Sequence, residues 1–236
     1  MVNGYSAQQM RDAEAPHLAA GEPLMQRAAA ALAQEIRSVL VDRAGDLPGC
    51  VLLLVGSGDN GGDALYAGAV LASTGCDVTI LPVGSRMHEA GLTAALAAGA
   101  QVIDVTEADG TLDALAVANA AADADVIVDG ILGTGAASSP ALRGTARDVV
   151  AAILPVLPTP GAPSVVAVDI PSGIGPDDGS IPDPVVLPAD VTVTFGGFKA
   201  GLLLPPASTR VGEVRLVDIG LGPDLARVQP LVHRHG

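Results

Sequence analysis

The chain opens with two stretches of helical period. From Ser6 to Ala20, Met10, Ala13 and Leu18 form an apolar line, and Ser6 is placed to cap it. From Pro23 to Val41, Met25, Ala29, Leu32, Ile36 and Leu40 recur at spacings of three and four, with Pro23 tolerated in the first turn. After the loop Gly45-Asp46-Leu47-Pro48-Gly49 the pattern changes. Val51 to Val55 is an unbroken apolar run, as a strand buried on both faces should be, and a helix is expected from Gly62 to Ser73. The alternation continues with strands at 77–83, 102–103, 125–129 and 164–169, and with helices at 88–98, 112–122 and 143–154. From Val191 onward short β segments are expected, at 191–195, 202–204 and 214–217. This order predicts a single α/β domain with a mostly parallel, doubly wound sheet, helices on both faces and two additional N-terminal helices.

Three of the expected strands end in polar or glycine-rich turns: after Val55, at Asp129 and at Asp169. In such sheets ligands bind at the carboxyl ends of the strands, so these turns can converge on one site. The first, Gly56-Ser57-Gly58-Asp59-Asn60-Gly61, has the spacing of a dinucleotide fingerprint. An ordinary dinucleotide oxidoreductase would add an acid at the end of the second strand, to hold a ribose. That strand ends Val83-Gly84-Ser85-Arg86 instead. Besides a bare structural turn, the remaining reading is a loop whose backbone N–H groups, amide side chain and carboxylates hold polar ligand groups and a cation together. Asp129 reads as an N-cap, a buried network member or a cation ligand. Gly133-Thr134-Gly135-Ala136-Ala137-Ser138-Ser139 is a second small-residue loop that lets backbone approach a phosphate. Asp169-Ile170-Pro171-Ser172-Gly173 places a carboxylate just before a rigid turn, where an Asx-turn is the structural alternative. Ser172 lacks the surroundings of a nucleophile elbow.

Composition narrows the chemistry. With no Trp and 2% aromatic residues, the core must be built from Ala, Val, Leu and Ile. A formal charge of −14 disfavours nucleic acid as a partner, so a phosphorylated ligand must be met locally. No apolar run approaches the roughly 20 residues that span a bilayer. Met1 to Ser6 lacks the pattern of a signal peptide, and Cys50 and Cys76 read as buried free thiols, which together fit a reducing cytoplasm. Lys199 is the only lysine. It is either a solvated loop cation or a charge aimed into the cleft. His233-Arg234-His235 reads as a flexible tail rather than a metal site.

Five pieces, in order, resemble the YjeF N-terminal family, the NAD(P)H-hydrate epimerases: Leu24 to Ala29, Gly58 to Asp63, Asp129 to Gly135, Asp169 to Gly173 and Phe195 to Pro206. They span about residues 5 to 220. The resemblance implies a three-layer α/β/α Rossmann-like fold, a homodimer, a bound potassium ion, and interconversion of the R and S epimers of hydrated NADH and NADPH. It also implies an NAD(P)H-hydrate dehydratase as pathway partner or fused domain. Carried over by position, Asp59, Asn60, Gly61, Gly62 and Asp63 would contact the substrate. Gly133, Thr134, Gly135, Ala136, Ala137, Ser138 and Ser139 would take its phosphate-bearing part. Asn60, Asp129 and Ser172 would hold potassium, and Asp169, next to the reacting ring, would be catalytic. The chain departs from the family where Asp59 replaces a common Asn and Ala64 a common Gly, and where the second loop lacks a basic residue, Arg143 lying further on. An inert binding or dimerisation module on the same fold is the alternative these departures leave open.

Overall fold

The computed structural model describes residues 2–44, 48–107, 109–136 and 139–234. A short strand β1 (Val2–Tyr5) leads into α1 (Ala7–Ala19) and α2 (Leu24–Ala44). The Ser6 cap forms as a full capping box: its side chain accepts from the Gln9 amide, and Gln9 reaches back to the Ser6 amide. Of the stripe expected on α1, Met10 and Ala13 are buried, but Leu18 is 58% exposed. In α2, Ala29, Leu32, Ile36 and Leu40 are buried as their spacing predicts.

The elements then alternate as expected: β2 (Cys50–Val55), α3 (Asp59–Ser73), β3 (Asp77–Pro82), α4 (Glu89–Ala97), β4 (Gln101–Val102), α5 (Ala114–Ala122), β5 (Val126–Gly130), α6 (Gly144–Ile153), β6 (Ser164–Val168) and β7 (Val191–Phe195). After β8 (Phe198–Lys199) and α7 (Ala200–Leu203) comes β9 (Glu213–Val217), then α8 (Gly222–Leu225) and β10 (Val232–Arg234). Seven strands form one sheet in the order β4-β3-β2-β5-β6-β7-β9, every pair parallel. The chain begins this sheet at β2, builds outward through β3 and β4, then returns to β5 on the other side. The junction of β2 and β5 is therefore the topological switch point, where strand ends splay and leave a crevice.

Alternation along the strands divides the core in two. Leu53, Val55, Ile80, Val128 and Val166 pack with α1, α2 and α3, while Leu52, Leu54, Leu81, Ile127 and Val165 pack with α5 and α6. That arrangement is the three-layer α/β/α fold.

Several local expectations need correction. Helix α3 starts at Asp59 rather than Gly62, because the Gly61 and Gly62 amides already donate to the Gly58 carbonyl. Glycine is required at Gly61, since a Cβ there would run into the Gly56 carbonyl. Leu202 to Leu204 is not a strand. Most of it is the helix α7, whose Leu202 is drawn into a small core with Ile170 and Ile174. His233 and Arg234 are not a free tail, because they lie in β10, antiparallel to β1, with His233 opposite Asn3. Strand β1 also pairs in parallel with β8, so a second, three-stranded sheet β10-β1-β8 forms beside the large one. Cys50 and Cys76 are free, but half-buried rather than buried. Gly45 to Leu47, Ala137, Ser138 and His235 lie outside the described residues.

Candidate active site

A cleft of about 690 Å³ opens over the carboxyl ends of β2, β5 and β6. Asp59, Asn60 and Asp63 reach it from the start of α3, and Gly133, Thr134, Gly135 and Ser139 from the turn after β5. Asp169 enters from the end of β6. The three turns singled out in the sequence thus meet at the switch point. Gly61 and Gly62 are buried, and the Ala136 backbone belongs to a 3₁₀ turn at 134–136.

Asp169 is the only described non-glycine residue with positive φ, at 67°. Asp tolerates this left-handed conformation better than most residues, yet it still costs about 1–2 kcal/mol. The turn aims the carboxyl across the sheet. Its Oδ1 accepts from Thr194 Oγ1 and the Phe195 amide, each at 3.2 Å, and from Lys199 Nζ. Lys199 is 2% exposed, and its ammonium also donates to the Phe195 carbonyl at 3.0 Å and to Thr194 Oγ1 at 3.2 Å. The solvated-loop reading of Lys199 is therefore wrong: the only lysine is a buried ion-pair partner. Asp169 Oδ2 bonds to none of the described residues, which leaves it for a ligand.

Behind the cleft lies a different carboxylate. Asp129 is fully buried, and takes the Ser172 amide on Oδ2 at 2.8 Å and the Ser172 hydroxyl on Oδ1 at 2.6 Å. The Ile131 amide reaches Oδ1 at 3.3 Å. Burial raises the Asp129 pKa, and the Ser172 hydrogen bonds oppose that rise. Asp129 is thus a member of a buried hydrogen-bond network, a place that leaves its reading as a cation ligand open to proposal. Ser172 Oγ accepts from the Leu132 amide at 2.8 Å, linking the β5 and β6 turns. Asn60 Nδ2 donates to the carbonyls of Leu132 and Val168. Gly133 is bare so that Asn60 can lie against it, for a Cβ there would strike the amide oxygen. Among the described residues no group of three His, Cys, Asp or Glu side chains is arranged to hold a metal. The donors around Asn60 are instead carbonyl, amide, hydroxyl and carboxylate oxygens, a set that suits a hard cation.

Two cleft carboxyls stand apart. Asp63 is 7% exposed, and its Oδ1 is the one buried side-chain polar atom without a partner among the described residues. Burial, and then the negative charges of Asp169, Asp59 and Glu14, hold its pKa well above the usual carboxylate range, against the opposing pull of Lys199. Glu14, from α1, was not singled out in the sequence. It too is raised, chiefly by burial. Its signal was present, since Glu14 lies one turn from Met10 and next to Ala13 on the apolar face of α1. Across the sheet, Arg143 lines the cleft just before α6 and donates to Ser139 Oγ. Arg143, the N-cap of α6, thus places a basic group beside the small-residue loop.

Residues 21–201 match the family described as YjeF-related protein N-terminus. The chain belongs to that family. Among its relatives, a Clavibacter michiganensis protein named NAD(P)H-hydrate epimerase is 52% identical over 98% of this chain and 96% of its own. A Microbacterium testaceum protein of the same name is 46% identical over 98% and 84%. A Mycobacterium tuberculosis protein named bifunctional NAD(P)H-hydrate repair enzyme Nnr is 39% identical, over 98% of this chain but 44% of its own. A solved yeast protein, ynu0, superposes with a TM-score of 0.70 at 19% identity, covering 92% of this chain and 88% of that one, which supports the fold.

Proposed function

We propose that this member of the YjeF-related family is an NAD(P)H-hydrate epimerase, interconverting the R and S epimers of hydrated NADH and NADPH. The observation that carries the reading is the carboxylate of Asp169, fixed by Lys199 in the switch-point cleft. Relatives of that name at 46–52% identity over nearly the whole chain supply the substrate.

The hydrated ring bears a hydroxyl on the carbon beside its nitrogen. Loss of that hydroxyl as water leaves a ring iminium, and water returning to the opposite face gives the other epimer. Asp169 is the catalytic residue: its free Oδ2 faces the ring, stabilises the cation and holds the water that leaves and returns. The phosphate-bearing part lies along Gly133 to Ser139, toward Arg143 and the amino end of α6.

Potassium fits the oxygen cluster behind the cleft. Asn60, Asp129 and Ser172 would hold it, with a half-turn of the Asn60 amide presenting oxygen instead of nitrogen. The ion would supply positive charge that organises the β5 and β6 turns. The assembled Asp129, Ser172 and Asp169 weigh against an inert module. The protein acts as a homodimer in the cytoplasm, alongside an NAD(P)H-hydrate dehydratase. The longer relatives named as bifunctional repair enzymes support a fused form of that partnership.

The test is to supply each purified epimer and follow the other by chromatography, with potassium and with sodium alone. Interconversion, faster in potassium, is expected. Binding without conversion would return the protein to the class of inert modules.

A further inference from the structure

The epimerisation proposed above needs a proton before the hydroxyl can leave, and the residue closest to the chemistry does not carry one to give. Asp169 is ion-paired to a buried ammonium and takes two further hydrogen bonds on the same oxygen. Lys199 is no better placed as a donor. Its ammonium serves three acceptors, the Asp169 carboxylate, the Thr194 hydroxyl and the Phe195 carbonyl.

Asp63 is built the opposite way. It lines the same cleft, and among the described residues none hydrogen-bonds its buried Oδ1 and no cation forms a salt bridge with it. Asp129 shows the contrast, since each of its oxygens accepts at least one hydrogen bond from Ser172 or Ile131. Leaving a buried polar atom without a partner costs about 1–3 kcal/mol, and no described residue supplies one to Asp63 Oδ1. We infer that Asp63 is the general acid of the reaction, a neutral carboxyl facing the cleft that protonates the departing hydroxyl while Asp169 remains the carboxylate that stabilises the iminium. This division rests on the epimerase reading.

The shift of its pKa agrees. Desolvation and the surrounding negative charges of Asp169, Asp59 and Glu14 keep the proton on Asp63. Pairs of carboxyls whose environments separate their protonation states are the usual sign of an acid and its ionised counterpart.

The step balances. The Asp63 proton goes to the hydroxyl oxygen, the C–O bond breaks with its electrons on the departing water, and the ring-nitrogen lone pair forms the C=N bond. Water then bonds to the other face, the C=N pair returns to nitrogen, and the proton it sheds goes to the Asp63 carboxylate left by the first step. A full turnover leaves both groups as they began.

The test compares Asp63→Asn with the wild type in potassium, from both epimers and across pH. The expected result is a fall in kcat of about a hundredfold or more, a KM changed by less than about threefold, and loss of the wild-type decline in rate at alkaline pH. Asparagine cannot ionise, so the variant should fold and melt no lower than the wild type. Carbon NMR of the wild-type Asp63 carboxyl gives a second readout, and a protonated group at neutral pH is expected. Wild-type kcat with an unaltered alkaline decline in the variant would overturn the assignment, as would an Asp63 found ionised at neutral pH. A larger loss in Glu14→Gln than in Asp63→Asn would move the acid to Glu14 and overturn it too. Wild-type protein that interconverts neither epimer would sink the epimerase reading and, with it, this proposal.

Discussion

The two sides of the cleft are made by opposite means. On one side, Glu14 from α1 and Asp59 and Asp63 from α3 line the cleft together with Asp169, whose partner is the single lysine, Lys199. On the α6 side the lining is small and uncharged from Gly133 to Gly135, and its one charge is Arg143. The first side suits a ring that becomes cationic during reaction. The second suits a permanently anionic diphosphate in a chain whose net charge of −14 would otherwise repel it. The contrast assigns turnover to one side and affinity to the other.

That assignment breaks most easily at Asp169. Asp169→Asn, which keeps a residue tolerant of the left-handed turn, should cut epimerisation by roughly 10²–10⁴-fold with substrate affinity nearly intact; equal losses in both would erase the distinction. Lys199→Met should instead act on the fold. Removing one partner of a buried pair costs about 3–5 kcal/mol, and thermal melting would register it. Arg143→Ala should raise KM by roughly three- to tenfold and leave kcat unchanged, since the guanidinium is exposed and screened. The smallest effect concerns His17, whose two ring nitrogens meet Glu22 at 2.9 Å and Asp224 at 3.0 Å, joining the α1–α2 turn to α8. The Asp224 and Glu22 hydrogen bonds raise its pKa. A group raised on folding stabilises below its unfolded pKa, and the benefit fades as pH rises through the folded value. The melting temperature should therefore drop slightly as pH climbs from just below the ordinary histidine range to above it, and His17→Gln should flatten that slope.

The sheet was legible because its strands are buried on both faces and read as continuous Val and Leu runs between helical stretches. The acidic wall was only half legible. Asp59, Asn60 and Asp63 stand beside glycines after a strand, and Asp169 stands two residues before a proline, where local sequence reports a turn. Glu14 and Lys199 depend on distant packing: one is a carboxylate on an apolar helix face, the other a lysine whose acceptors come from β7 and the β6 turn. Leu202 failed for the same reason. Its helix is decided by the core it enters, not by its neighbours in the chain. Strands β1 and β10 were missed because each is short and neither alternates clearly, so their pairing is visible only once both ends are brought together.

The small second sheet also sets an order of assembly. Tyr5 is aligned with Lys199, and Gly4 with Phe198. The backbone that carries the Lys199 ammonium is thus braced by a strand synthesised almost the whole chain earlier. Closing so long a loop is entropically slow. The large sheet can form around β2 and β5 while Val2–Tyr5 still waits for its partner. Ligand-binding competence should therefore appear late in refolding, after most of the helical signal has returned. A fusion or deletion that disturbs Val2–Tyr5 would then register as a defect in the site.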